Sequence, residues 1–244
     1  MLKNKFFKGF SLLLATVMAL TLLAMPCAAA ERDLPIYCVG RDDNCISISF
    51  DAAWGNEDTQ TLIDILGKYN IRATFFVVGD WVDKYPESVK ALHDAGHEIM
   101  NHSNTHAHYP QLSRAQMIAD VSACADKIEA VTGVRPTLFR PPYGDYNDTV
   151  VGAMREAGFY TIQWDVDSLD WKNPGSDAIE QRVLEKVKSG SIVLFHNAAV
   201  QTPAALPGII EGLLAKGYKF LPISELIYKE DYHMEHDGTQ RSDG

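Results

Sequence analysis

Basic residues are scarce in this chain. Its 244 residues hold 22 Lys and Arg against 32 Asp and Glu, a formal charge of -10. Neutralising a phosphate backbone needs clustered cations, and none are clustered here, so a nucleic-acid-binding surface is excluded. Seventeen Gly and eleven Pro are too few for a collagen-like or low-complexity chain. No internal repeat and no Pro/Ser-rich linker divides residues 43–229, so one domain is expected there. What remains is 46% hydrophobic and 22% charged residues, the balance of a folded globular protein rather than a disordered one.

The start of the chain is read separately. Lys3, Lys5 and Lys8 precede an apolar run from Phe10 to Met25, and Ala28-Ala29-Ala30 supplies small residues for cleavage before Glu31. Residues 1–30 therefore read as a signal peptide, which makes the protein secreted or wall-associated, with no membrane span after cleavage. A retained anchor is the alternative, since the run approaches the ~20 residues that a span needs. A lipid anchor at Cys27 is disfavoured by Pro26. Residues 31–42 form an N-terminal extension. Export also makes the cysteines informative, because Cys38 and Cys45 flank the turn-rich Gly40-Arg41-Asp42-Asp43-Asn44 between two strand-like segments. A hairpin disulfide is expected, with two unpaired thiols as the alternative. Cys124, in a helical pattern, is expected to pack as a small apolar residue. The polar stretch 230–244, with His233 and His236, is expected to be a disordered, solvated tail.

From Cys45 onward, short apolar runs alternate with longer segments of helical period, the pattern of a parallel sheet with helical crossovers. Strands are predicted at 45–51, 73–78, 97–101, 136–140, 160–166, 191–196 and 219–222. Helices are predicted at 57–69, 86–95, 113–131, 147–157, 176–188 and 205–216, with a short one at 223–229; several end in Gly, as at Gly96, Gly158, Gly190 and Gly217. Asp51, His102, Arg140, Asp167 and His196 each fall at or just past the C-terminal end of a predicted strand. Enzymes built on parallel barrels assemble their sites at that edge; isolated caps and turns are the plainer alternative.

Each of these positions carries a chemistry. His102 and His106 stand at i and i+4, and on a helical turn their Cβ atoms would be about 5–6 Å apart, which suits chelation of zinc or a similar ion. His93 and His97 are a rival pair, but Gly96 ends the predicted helix between them. Asp51, closing an apolar strand, suits a general base. His196, closing Leu194-Phe195-His196, suits a general acid or base, or else is a core histidine bonded to a backbone carbonyl. Asp167-Ser168-Leu169-Asp170-Trp171 joins two acids to an indole, a combination that serves sugar stacking or an acidic partner for a histidine, whose pKa it would raise. Arg140-Pro141-Pro142-Tyr143-Gly144 is a rigid turn with one fixed cation.

Taken in order, five segments resemble the motifs of the polysaccharide deacetylase family, the NodB homology domain of carbohydrate esterase family 4. They are Ser49-Phe50-Asp51-Ala52-Ala53-Trp54-Gly55, His102 to His106, Arg140 to Gly144, Asp167 to Trp171, and Leu194-Phe195-His196. The resemblance covers residues 43–228 and implies a single α/β domain, a distorted (β/α)7-type barrel. It implies a monomeric hydrolase that removes N-acetyl groups from peptidoglycan or chitin-like glycans with a divalent ion, zinc or cobalt, held by His102 and His106. By the same resemblance Asp51 is the base, Arg140 orients it, His196 is the acid and Asp170 tunes that acid. The Tyr143 amide faces the oxyanion, and Trp171 and Leu194 wall the acetyl pocket. One position departs: the family's second aspartate, a metal ligand, is Ala52 here. The Asp-Ala-Ala-Trp-Gly form resembles a subgroup of the family. The ion's shell would then be completed by Asp51 itself, by Asp145, or by substrate. A glycan-binding protein without turnover is the alternative that Ala52 raises. A glycosidase using Asp51 with Asp167 or Asp170 would leave the two histidines unexplained.

Overall fold

Residues 32–244 are described by a computed structural model; the signal-peptide reading of residues 1–30 lies outside them. In chain order the elements are β1 (Cys38–Val39), β2 (Cys45–Ala52), α1 (Thr59–Lys68), β3 (Thr74–Val77), α2 (Gly79–Lys84), α3 (Pro86–Asp94), β4 (Glu98–Asn101), α4 (Arg114–Thr132), β5 (Leu138–Phe139), α5 (Asp148–Glu156), β6 (Tyr160–Thr161), β7 (Val166–Asp167), α6 (Ser176–Lys186), β8 (Ile192–His196), α7 (Thr202–Ala215), β9 (Lys219–Phe220), α8 (Ile223–Leu226), β10 (Tyr232–Met234) and β11 (Thr239–Ser242). Single 3₁₀ turns occupy 109–111, 142–144 and 170–172.

The main sheet is parallel throughout, in the order β6-β5-β4-β3-β2-β8-β7, with β9 beside the start of β2. It curls into a half-barrel, with β2 an interior strand flanked by β3 and β8. All eight residues of β2 are buried, as a strand covered on both faces requires. Phe50 stacks on Phe75 and Phe195 at centroid distances of 4.7 and 5.6 Å. Leu62 and Leu66 of α1 and Ile209, Ile210 and Leu213 of α7 join the same apolar cluster. Each such side chain, fully buried, contributes about 1.5–3 kcal/mol. The crossover α4 opens with a capping box between Ser113 and Gln116 and closes at Gly133, φ 73°, so both ends satisfy backbone groups that would otherwise lack partners.

Several expectations are corrected. The single strand predicted at 160–166 is two: β6 pairs with β5 at one edge of the sheet and β7 with β8 at the other. Residues 162–165 cross the open seam, where the Asp165 carboxylate accepts hydrogen bonds from Ser191 Oγ and the Ile192 amide at 2.8 and 2.9 Å. Helix α2 was not anticipated. It begins at Gly79, where a Cβ would meet Asn104 Oδ1 at 2.2 Å and Asn104 Cα at 3.0 Å. The tail is not disordered over its length: β10 and β11 form an antiparallel pair, and β11 runs parallel to β1. Its polar groups find partners, since Gln240, fully buried, bonds the amide and carbonyl of Tyr228 and His233 pairs with Asp243.

That arrangement also explains the cysteines. β1 pairs with β11 rather than with β2, so no hairpin joins Cys38 to Cys45, and both are buried free thiols. Cys38 Sγ lies 3.4 Å from Thr239 Oγ1. Cys124 is buried as expected. The N-terminal segment straps the sheet at the end opposite its polar edge. Val39 donates to Gly190 O, and Gly190, with φ +80°, has no room for a side chain because a Cβ would fall 1.6 Å from Val39 O. Among the described residues no helix is long and apolar enough to cross a membrane.

Candidate active site

The C-terminal ends of β2, β4, β5, β7 and β8 surround a cavity of about 490 Å³. Asp51, His102, His106, Tyr143, Asp167, Trp171, Leu194 and His196 all line it, together with Trp54, Gly144 and Trp164. Arg140 lies behind this wall, fully buried, and Asp170 is nearly so. A larger cavity of about 670 Å³ opens at the other end of the strands around Arg41, Lys188 and Arg241 and contains none of these residues.

Asp51 and Arg140 form a buried ion pair. Arg140 Nη1 donates to Asp51 Oδ1 at 2.8 Å, and Nη2 donates to Ser49 Oγ and to Gln163 O at 2.9 and 3.1 Å. The guanidinium carbon lies 4.2 Å from the Phe76 ring centroid and 5.6 Å from that of Trp164, within the range of cation–π attraction. Burial alone would raise the pKa of Asp51, but its surroundings outweigh it, with the charge and hydrogen bond of Arg140 among them, and hold the carboxyl below its ordinary range. Asp51 is therefore ionised at neutral pH and fixed in direction.

His196 and Asp170 form a second pair. The imidazole Nδ1 bonds Asp170 Oδ1 at 2.7 Å, while Asp170 Oδ2 accepts from the His196 amide and from Thr202 Oγ1 at 2.8 and 2.7 Å. Burial pulls the histidine's pKa down, yet the hydrogen bond and charge of Asp170 overcome it and the net direction is up. Nδ1 is occupied, so Nε2 is the nitrogen free to exchange a proton with a bound molecule. Asp167 sits beside this pair on the wall and accepts from the Leu169 amide at 2.8 Å.

His102 and His106 meet, with ring centroids 5.0 Å apart, but no helical turn brings them together. Residues 102–108 are a loop in which Ser103 and His106 hold left-handed backbones, φ 73° and 59°. Such backbones are strained for residues with a Cβ and persist only where neighbours enforce them. Here Ser103 donates its amide to Asn101 Oδ1, and Ser103 Oγ accepts from the His106 amide. Asp120 of α4 accepts from the Asn104 amide, Thr105 and Tyr109. Asn101 and Asp120 escaped the sequence reading. Asp120 lies at i+4 before Cys124 on the apolar side of a helix, and a buried-side acid was the one available signal.

His102 Nδ1 lies 2.8 Å from Arg140 O. A carbonyl only accepts, so Nδ1 carries the proton. Burial lowers the pKa of the ring, leaving Nε2 as a lone pair 3.5 Å from Asp51 Oδ2. Two facing acceptors suit a cation between them. The donor set stops short of a complete divalent site, however. Ala52 is fully buried in the apolar cluster, Asp51 is shared with Arg140, and Asp145 is turned to His108 Nδ1 at 3.1 Å. Among the described residues no group of three or more His, Cys, Asp or Glu converges to hold a metal. Two imidazoles without an uncommitted carboxylate do not fit a resident ion.

The rim is aromatic. Tyr143, left-handed at φ 62°, stacks on His108 at 4.1 Å and meets His106 edge-on at 4.5 Å, while Trp54 lies 5.9 Å from His106 and 6.2 Å from His196.

Residues 39–162 match the polysaccharide deacetylase family. A peptidoglycan-N-acetylglucosamine deacetylase of Bacillus cereus is 37% identical over 78% of this chain and 91% of its own length. The chain belongs to that family. YlxY, an uncharacterized protein of Bacillus subtilis, is 32% identical over 79% of this deacetylase-family chain, which spans only 60% of YlxY. Among solved structures, a CE4 family pseudoenzyme from Bacillus anthracis is similar to it with a TM-score of 0.76 and 36% identity, covering 79% of this chain and 68% of the other. A mutant of that pseudoenzyme with restored enzymatic activity matches with the same TM-score and 37% identity, over 79% of this chain and 70% of the other. The curled parallel sheet is the fold of the family.

Proposed function

We propose that this chain hydrolyses the N-acetyl group of amino sugars in peptidoglycan or a chitin-like polysaccharide and releases acetate. The observation that carries the reading is the convergence of two completed acid–base pairs, Asp51 with Arg140 and His196 with Asp170, on one cavity. Asp51, ionised and held by Arg140, takes a proton from water as its oxygen attacks the acetyl carbonyl carbon. The backbone amide of Tyr143 is the donor assigned to the oxygen on which charge develops. His196, protonated on Nε2 and stabilised by Asp170, gives its proton to the sugar nitrogen as the C–N bond breaks, leaving a free amine. Trp171 and Leu194 wall the space for the methyl group. Zinc or cobalt, the ions the resemblance implies, would find only His102 and His106 uncommitted.

Export by residues 1–30, a place at the cell wall and a monomeric state belong to the same reading. So does the Asp-Ala-Ala-Trp-Gly form as the trait of a subgroup. The test is acetate release from N-acetylated chitin and peptidoglycan oligomers. Asp51→Asn and His196→Ala are each expected to lower it by about 10²- to 10⁴-fold. No release from any such oligomer, even with added zinc or cobalt, would overturn the reading. Ala52 favours one rival, a glycan-binding protein without turnover; equal glycan affinity of the parent and Asp51→Asn, with no turnover in either, would decide for it.

A further inference from the structure

Three residues with side chains keep left-handed backbones at the reaction cavity: Ser103, His106 and Tyr143, with φ 73°, 59° and 62°. Such backbones relax unless neighbours enforce them, and relaxation of Tyr143 would swing the peptide planes on either side of it. Hydrogen bonds to Asn101 Oδ1 and to Ser103 Oγ hold the first two. Tyr143 is held differently. Two backbone bonds close its turn, from the Gly144 amide to Pro141 O and from the Asp145 amide to Pro142 O, each 3.0 Å. Among the described residues no carbonyl or side chain accepts the Tyr143 amide itself.

What grips the residue is its ring. Although 61% exposed, Tyr143 lies flat on His108, 4.1 Å away with 10° between the ring planes, and meets His106 edge-on. His108 is itself fixed twice. Its Nδ1 donates to Asp145 Oδ2 at 3.1 Å, because an ionised carboxylate only accepts. The next residue, Tyr109, is fully buried and donates its hydroxyl to Asp120. The turn therefore closes on the His108 imidazole like a pincer, with the Tyr143 ring as one jaw and the Asp145 carboxylate as the other. Between them, Gly144 O accepts from Gln163 Nε2 at 2.8 Å, and a Cβ on Gly144 would fall 2.8 Å from the Trp164 ring. An exposed ion pair alone would hold little and fade with salt; the parallel rings add contact that does not depend on charge.

We propose that His108 is a positioning residue: stacked on the Tyr143 ring and bonded to Asp145, it keeps the turn at 141–145 in the conformation that presents the Tyr143 amide to the reacting carbonyl oxygen. A donor stabilises developing charge only if it is in place beforehand, and a displacement of about 1 Å can cost about 10²-fold. Asp145 then serves the clamp rather than an ion. The inference rests on the deacetylase reading for what the amide does, and on geometry alone for the clamp.

The experiment compares the intact parent chain with His108→Ala, which removes the ring, and His108→Phe, which keeps a flat one. Position 108 is exposed, so neither change opens the core. Two measurements are made: hydrogen exchange of the Gly144 and Asp145 amides by NMR, and acetate release from N-acetylated chitin and peptidoglycan oligomers. His108→Ala is expected to speed both amides at least tenfold and to lower kcat at least tenfold, with KM within twofold of the parent. His108→Phe is expected to bring both back to within threefold. Exchange unchanged by His108→Ala, or equally fast in the two variants, would overturn the clamp. Faster exchange in His108→Ala with kcat unchanged would overturn its part in the reaction. If the parent releases no acetate while the exchange pattern holds, the clamp stands and the deacetylase reading falls, with the amide's part in it.

Discussion

One strand carries two buried histidines with opposite fates. His97 stands just before β4 and His102 just after it, and both are nearly inaccessible to solvent. His97 Nδ1 accepts the Ala73 amide at 3.2 Å, so the proton sits on Nε2, which has no hydrogen-bond partner. His102 is the opposite tautomer: its Nδ1 donates to Arg140 O, and the Nε2 lone pair faces Asp51. Burial pushes the pKa of His97 down to about 4 with no charged group to oppose it. At the other end of the strand, burial also lowers His102, but Asp51 pulls against it. The same side chain is inert packing at the N-terminal edge of the sheet and a directed lone pair at the C-terminal edge. The difference lies in which backbone group meets Nδ1 and in the Asp51 carboxylate that faces His102 alone.

Three changes test that contrast. The largest effect is expected from Arg140→Met, which keeps the carbonyl that orients His102 but strips the cation from Asp51. Leaving one buried charge unpaired costs about 3–5 kcal/mol, to be read as a lower denaturant midpoint at neutral pH. In the parent chain Asp51 is held below its unfolded value, so its contribution is present above the unfolded pKa and is lost as pH falls through the folded one. The variant should therefore lose least relative to the parent in acid, and equal stability at pH 7 would contradict the pairing. Next is His97→Gln, which retains an acceptor for the Ala73 amide without a titrating ring. With a folded pKa of about 4 against 6.5, the unfolded chain binds the extra proton as pH falls through that window. The parent should lose about 3 kcal/mol there, and the variant should lack that part of the slope; superimposable stability–pH curves would refute it. The smallest is Ala52→Asp, which restores the carboxylate that the family's first motif carries at this position. Zinc affinity by calorimetry should rise at least tenfold, about 1.4 kcal/mol. The apo variant should melt lower, because position 52 is packed among apolar side chains. Unchanged affinity would mean that the His102 end is not one ligand short.

Much of this was readable in advance because strands buried on both faces exclude polar residues. Asp51, His102, Arg140, Asp167 and His196 therefore stood out where apolar runs stopped, and the sheet places all five at one edge. Less was readable wherever the backbone leaves regular structure. The i, i+4 spacing of His102 and His106 suggested a helical turn, but two left-handed residues and the side chain of Asp120 bring the rings together. The seam at 162–165 was invisible because Tyr160, Ile162, Trp164 and Val166 alternate with Thr161, Gln163 and Asp165, the pattern of one unbroken strand. The tail looked solvated because its pairing partner, β1, lies some 200 residues earlier, and nothing local records a partner that distant.

That distance has a consequence for assembly. Cys38 and Thr239, in contact across the β1–β11 pair, are 201 positions apart, so the strap cannot be fastened until synthesis has passed residue 239. Non-local pairings of this kind come late because a very large loop must close first. The polar edge closes on shorter loops, its most distant pairing being β2 with β8, as between Ser49 and Leu194, so it can form beforehand, and the β1–β11 strap then locks the finished sheet from below.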